Sequence, residues 1–185
     1  PEVEILFVGA LGKMEMEKIP AAGYKIVGLP ITGFQRKLSV SNFVLPFKLI
    51  KSMIQASQIL RSFKPDVVVG VGGYASGPTL RAATNAGIPT LIQEQNSFPG
   101  KTNKILASKV SVICTAYEGL EKFFPKEKIV LTGNPVRSEV TQIKGKKAEA
   151  EKAFGLNPDK PTVLVVGGSL GARTLNDSVL AGIHE

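Results

Sequence analysis

The stretch that most constrains the fold of this chain is PDVVVGVGGYASGP, residues 65–78. Four valines between residues 67 and 71 predict a buried strand, and glycines follow at positions 70, 72, 73 and 77. Pro78 fits the first turn of a helix, where its missing N–H costs no hydrogen bond. Such a junction can hold an anion, because backbone N–H groups approach the ligand and the helix N-terminus is partially positive.

The rest of the chain repeats this alternation of short apolar strands with helices. Strands are predicted over 2–9, 24–29, 67–71, 88–93, 110–114, 128–131 and 162–166, and helices over 13–22, 42–63 and 79–86. The alternation predicts an α/β fold with a parallel, doubly wound sheet. A charged segment from 138 to 160 precedes a second strand–glycine–helix junction. We therefore predict a Rossmann-like domain over residues 1–140, a linker or helix over 141–160, and the start of a second Rossmann-like domain over 161–185.

Composition excludes several classes of protein. Lys and Arg outnumber Asp and Glu by 23 to 15, which favours anionic partners. Nucleic acid is not among those we predict, since the chain has no aromatic RNP-like strand, zinc pattern or Arg-rich arm. One cysteine excludes a disulfide framework. With no DxD motif and a single histidine, His184, we predict neither a metal nor a cofactor.

A dinucleotide-binding enzyme is one alternative. Residues 70–75 fit the pattern G-x-G-x-x-A, and Glu94 follows near the end of the next strand, where a ribose-binding acid would lie. However, the loop continues to Gly77 and Pro78, so the helix must begin later than this pattern requires. Glu94 is also part of a polar cluster, residues 94–96, that is richer than one ribose contact needs. Both features speak against a dehydrogenase.

Polar side chains follow most of the predicted strands at their carboxyl ends, where open α/β sheets bind ligands. They are Tyr74, Ser76, Glu94, Gln95, Asn96, Thr102, Asn103, Asn134, Arg137 and Ser169. Amides and a carboxylate suit sugar hydroxyls, while an arginine and glycine-loop N–H groups suit a diphosphate. The sequence therefore predicts a sugar-nucleotide site.

Four motifs in this order and spacing closely resemble the MurG family of glycosyltransferases. They are GVGGYASGP (70–78), QEQNSFPGKTN (93–103), TGNPVR (132–137) and VVGGSLGAR-TLN (165–176). The resemblance implies the GT-B architecture and metal-independent, inverting transfer of N-acetylglucosamine from UDP-N-acetylglucosamine to undecaprenyl-diphosphate-linked lipid I, giving lipid II. It also implies a peripheral position on the cytoplasmic face of the bacterial cell membrane, with an anionic membrane surface and other cell-wall synthesis proteins as partners.

The resemblance implies roles for particular residues. Asn96, Arg137 and Ser169 match donor-binding positions, and Gly72, Gly73, Tyr74, Glu94 and Asn176 match positions near the acceptor's diphosphate. Glu94 is the only carboxylate in these motifs that could serve as general base; orienting a sugar hydroxyl or a loop N–H is the alternative.

A basic, apolar region before the central strand matches the family's membrane-docking surface. Its residues are Phe34, Arg36, Lys37, Phe43, Phe47, Lys48 and Lys51. From the residues alone, a helix that covers the sheet and leaves its lysines in solvent fits as well.

The chain also departs from the family. The family's first glycine loop, with the histidine expected to activate the acceptor, precedes residue 1, and the later half of the second domain is not present. Gln93 and Leu170 stand where many members have His and Gln. We therefore expect these 185 residues to be an inactive fragment. Alternative functions are another GT-B enzyme, such as a UDP-N-acetylglucosamine 2-epimerase, or a basic α/β module on membranes.

Overall fold

The computed structural model of the chain describes residues 3–31, 41–168 and 172–183, apart from the side chains of 41–45 and 139. The strands are β1 (Leu6–Ala10), β2 (Lys25–Leu29), β3 (Val68–Gly70), β4 (Thr90–Glu94), β5 (Val112–Thr115) and β6 (Ile129–Leu131). The α-helices are α1 (Glu15–Ala21), α2 (Ser41–Phe63), α3 (Ser76–Asn85), α4 (Lys101–Leu106), α5 (Ser138–Thr141), α6 (Lys147–Phe154) and α7 (Arg173–Gly182). None of the described helices is both long enough and apolar enough to cross a membrane.

The chain divides into two compact units, Pro1–Pro135 and Val136–Glu185. All strands of the first unit pair in parallel, with β1 beside β2 and a four-stranded sheet in the order β3-β4-β5-β6. Helices connect most successive strands, as parallel pairing requires. The predicted α/β class with a parallel sheet is confirmed.

Helix α2 shows how side-chain spacing decides which face is buried. Ser52, Ala56 and Leu60 lie four residues apart, so they share one helix face, and all three are buried. Ala56 and Leu60 belong to a core cluster that also contains Leu29 and Ala83. A second cluster forms where α3 meets the four-stranded sheet. These two clusters fix the positions of the strand ends that carry the candidate site.

The second unit differs from the sequence-based expectation. Helix α6 ends at Phe154 and is capped by Gly155, whose φ of 63° is the left-handed conformation that glycine adopts readily. The strand predicted over 162–166 is wrong, because residues 161–168 have no regular secondary structure. A strand needs a neighbour for its backbone hydrogen bonds, and no other strand is present among residues 136–168 and 172–183.

Candidate functional site

The glycine loop between β3 and α3 has the backbone of an anion-binding turn. Gly72 and Gly73 have φ values of 92° and 78°, a left-handed region in which a side chain is strained. Helix α3 begins at Ser76, three residues after Gly73, so its first free N–H groups lie beside the loop. The predicted strand, glycine loop and helix N-terminus are therefore present. The prediction that the loop continues to Gly77 and Pro78 is wrong, since both residues lie in the first turn of α3.

Strand β3 and helix α3 pack closely at this junction. A Cβ on Gly70 would collide with the Leu80 side chain and lie 2.8 Å from Ser76 Oγ, so β3 and α3 can approach this closely only with glycine there. Ser76 Oγ is buried and has no hydrogen-bond partner among the described residues. It lines a cleft of about 450 Å³ together with Gly72 and residues of β1 and β3.

The carboxylate of Glu94, at the end of β4, is the most completely bonded side chain of the site. Its Oε1 accepts hydrogen bonds from the backbone N–H and the side-chain amide of Asn96, both at 3.0 Å. Its Oε2 accepts from the Gly100 N–H at 3.1 Å and from Asn103 Nδ2 at 2.8 Å. Glu94 is 1% exposed, so these four bonds replace its hydration and close the loop of residues 95–100.

These bonds decide how the Glu94 carboxyl ionises. Burial alone raises its pKa, but the hydrogen bonds from Asn103, Asn96 and Gly100 outweigh burial and bring the pKa below the ordinary 4.5. An efficient general base has its pKa near the working pH and a free lone pair facing the substrate. The geometry therefore favours the orienting role of Glu94 over the role of base.

Amide side chains link the loop that follows β4 to its two neighbours. Gln95 Nε2 donates to the carbonyl of Val71 in the glycine loop at 3.2 Å, and also bonds the side chain of Gln93. On the other side, Gln93 Nε2 donates to the Gly133 carbonyl at 3.3 Å, and Asn134 Nδ2 donates to the Gln95 carbonyl at 3.3 Å. These hydrogen bonds join the carboxyl ends of β3, β4 and β6.

Tyr74 projects from the glycine loop into solvent and is 48% exposed. The ammonium of Lys13, from the turn after β1, lies 5.6 Å from the centroid of its ring, within cation–π range. The sequence contained no signal for Lys13, because this approach depends on how β1 and β3 are arranged in the fold.

The structure does not place all of the predicted donor-binding residues (Asn96, Arg137 and Ser169), and Asn176 belongs to the predicted acceptor side. Asn96 is exposed, and its amide nitrogen is engaged with Glu94. Arg137 and Asn176 are exposed residues of the second unit. Ser169 lies outside the described residues. Their roles in binding stay predictions, as do those of Gly72, Gly73 and Tyr74.

The side chains of three of the seven predicted membrane-docking residues, Phe47, Lys48 and Lys51, can be placed. Phe34, Arg36 and Lys37 lie outside the described residues, and Phe43 is described only as part of the α2 backbone. Phe47 is 73% exposed on α2, and Lys48 and Lys51 lie beside it. Ile50 and Ile54, farther along α2, are also exposed.

No group of residues within 3–31, 41–168 and 172–183 has the composition of a metal site. The polar groups at the sheet edge are instead amides, one carboxylate and backbone N–H groups. Such a set recognises hydroxyl and phosphate oxygens by hydrogen bonding.

Comparison with known proteins identifies the family. The sequence pattern of the glycosyltransferase family 28 N-terminal domain matches residues 1–115. The chain belongs to glycosyltransferase family 28. This match covers the whole four-stranded sheet except β6, and with it the glycine loop and Glu94.

Two curated relatives of this family 28 chain share one functional name. Proteins of Parabacteroides distasonis and Cytophaga hutchinsonii, each named UDP-N-acetylglucosamine--N-acetylmuramyl-(pentapeptide) pyrophosphoryl-undecaprenol N-acetylglucosamine transferase, are 61% and 57% identical to it. Both matches cover all 185 residues of this chain and 50% of the relative. The chain thus spans about half the length of the curated relatives it matches.

Solved structures agree on the fold. The crystal structure of Acinetobacter baumannii MurG is 30% identical, with a TM-score of 0.69 over 94% of this chain and 47% of that one. The UDP-GlcNAc 2-epimerase of Neisseria meningitidis gives a TM-score of 0.53 at 18% identity, over 86% of this chain and 48% of that one. The second likeness shows a shared fold alone.

Proposed function

We propose that the full-length protein carrying this chain transfers N-acetylglucosamine from UDP-N-acetylglucosamine to the 4-hydroxyl of lipid I, with inversion, and so makes lipid II. The observation that carries the proposal is the 61% identity over the whole chain to a protein named as that transferase. At this level of identity, we expect the sheet edge and its loops to have the same backbone conformation in the two proteins.

The glycine loop supports the assignment of the acceptor side. Gly72, Gly73 and the N-terminus of α3 present N–H groups to one place, where a diphosphate fits the partial positive charge. Glu94 then holds the neighbouring loop, so that Asn96 is presented to the sugar in a fixed position. The donor contacts of Asn96, Arg137 and Ser169 and the acceptor contact of Asn176 are part of the proposal.

The test is a transfer assay with the full-length protein, radiolabelled UDP-N-acetylglucosamine and a soluble lipid I analogue. We expect label in the lipid product and release of UDP only when the acceptor is present. Formation of N-acetylmannosamine without acceptor would instead support the 2-epimerase alternative. The same assay on residues 1–185 alone is expected to give no transfer.

We further propose that the exposed face of α2 docks on the cytoplasmic face of an anionic membrane. Phe47, Ile50 and Ile54 follow one another at helical spacing and are all exposed, and Lys51 lies among them. Apolar side chains flanked by lysines bind such a surface by burial and by charge together.

Sedimentation with phosphatidylglycerol vesicles tests this docking. Ile50→Ser is expected to reduce the bound fraction, whereas Ile143→Ser, at a similarly exposed isoleucine of the second unit, is not. Equal binding of the Ile50→Ser variant and the unchanged protein would contradict the proposal.

A further inference from the structure

We propose that Lys13 is the cation of the anion site at the glycine loop and binds the acceptor's diphosphate through its ammonium group. This inference rests on the proposed function for the identity of the ligand. The site itself rests on geometry: the N-terminus of the ten-residue helix α3, the two left-handed glycines, and the buried, unpartnered Ser76 Oγ.

The fold fixes the backbone of Lys13 while leaving its side chain exposed. The Leu11 N–H donates to the Leu29 carbonyl at 2.9 Å, and the Lys13 N–H donates to the Ala10 carbonyl at 3.2 Å. Gly12 between them has a φ of 70°. These bonds hold the turn after β1 against the end of β2, so the lysine starts from a defined position.

The side chain of Lys13 is directed toward the glycine loop. Its Nζ lies 5.6 Å from the centre of the Tyr74 ring, and Tyr74 directly follows Gly73. A contact of this kind at an exposed ring is weak, so the ring can place the ammonium beside the loop without retaining it against a stronger partner.

No carboxylate competes for this ammonium in the described part of the chain. The ion pairs there are Lys147–Glu151 and Arg173–Asp177, both in the second unit. Glu15, at the start of α1, accepts a hydrogen bond from the Ala10 N–H at 3.1 Å. Lys13 therefore keeps its charge available for an incoming anion.

The chemistry of a diphosphate calls for such a group. Backbone N–H groups and a helix N-terminus supply only partial charges, whereas a diphosphate ester carries full negative charges. A lysine adds a full positive charge on a flexible stem with three donors, which suits phosphate oxygens without demanding one geometry. The Lys13 ammonium therefore adds the full positive charge that the loop N–H groups and the α3 N-terminus do not supply.

Inorganic pyrophosphate is the probe, with binding to the 185-residue chain followed by calorimetry at low and high salt. Lys13→Gln is expected to weaken binding about tenfold, the effect of losing one charge-assisted contact, and to reduce the salt dependence. Lys13→Arg keeps the charge and should bind within about twofold of the unchanged chain. Lys18→Gln is the matched control, because it removes an equal charge from an exposed residue of α1.

Several outcomes would overturn the proposal: no pyrophosphate binding by the unchanged chain, undiminished binding by Lys13→Gln, or an equal loss in Lys18→Gln. Melting temperatures of all variants are expected to agree, which separates lost binding from lost folding. In the full-length protein, Lys13→Gln should raise the KM for lipid I about tenfold and leave the KM for UDP-N-acetylglucosamine unchanged. Absence of transfer by the unchanged full-length protein, with pyrophosphate binding intact, would instead count against the proposed function alone.

Discussion

Two segments of this chain share the sequence pattern of a valine-rich run followed by glycines and a helix, and they differ in what surrounds the valine-rich run. In the first, β3 pairs with β4, and Leu80 of the helix that follows is fully buried. In the second, residues 162–166 form no strand, and Leu164 is 82% exposed. Both segments have valine-rich runs of similar apolar character. The comparison teaches that such a run becomes a strand only where a neighbouring strand accepts its backbone hydrogen bonds.

The largest effect that tests this comparison is expected from shortening a leucine in each segment. Leu80→Ala leaves a cavity in the core and should cost about 3 kcal/mol of unfolding free energy. Leu164→Ala removes a side chain that is already in water, so a change below about 0.5 kcal/mol is expected. Urea denaturation followed by circular dichroism measures both. Similar losses in the two variants would show that the second segment is packed after all.

A smaller effect is expected from adding one methyl group at a glycine of each segment. Gly70→Ala forces the new Cβ against Leu80 and Ser76, and should cost about 2 kcal/mol. Gly168→Ala meets nothing within 4 Å, so its stability should change by less than about 0.5 kcal/mol. The same denaturation curves give both values. A harmless Gly70→Ala would mean that β3 and α3 are farther apart than described.

The smallest effect concerns Glu94, a buried carboxylate of the first unit that has no buried counterpart among the described residues of the second unit. Because the pKa of Glu94 is lowered in the folded protein, its ionised form stabilises the fold above pH 4.5. That contribution is lost as the pH falls through the lowered pKa. Glu94→Gln should therefore cost about 1.5 kcal/mol at pH 7 and progressively less below pH 4.5. Denaturation of both proteins between pH 7 and pH 3 measures the difference, and a difference independent of pH would contradict this account.

Much of the first unit could be predicted from the sequence, because each element is specified locally. The valines of β3, the glycines at 72 and 73 and the proline at 78 each act on their own backbone or its immediate neighbours. The glycine loop was therefore predictable in place and in form. The predicted strand over 162–166 used the same local reasoning and is wrong, since nothing local reveals whether a partner strand is at hand.

The contacts of the candidate site were less predictable than its residue types. Glu94, Gln95 and Asn96 stood out as a polar cluster, yet the donors that surround Glu94 include Gly100 and Asn103, which only the folded loop brings to it. The link from Gln95 to Val71 depends on β3 and β4 being neighbours. The approach of Lys13 to Tyr74 could not be predicted from the sequence, because it depends on how β1 lies relative to the glycine loop.

The order of strands in the larger sheet also sets how firmly each part of the site is held. β4 has a strand on both sides, whereas β3 has β4 alone among the strands described. Amide hydrogens of β4 should thus exchange with solvent only on global unfolding, and those of β3 in smaller, more frequent openings. Glu94 stands on the strand that opens last and the glycine loop on one that opens early. A ligand held by that loop would consequently slow the exchange of β3 far more than that of β4.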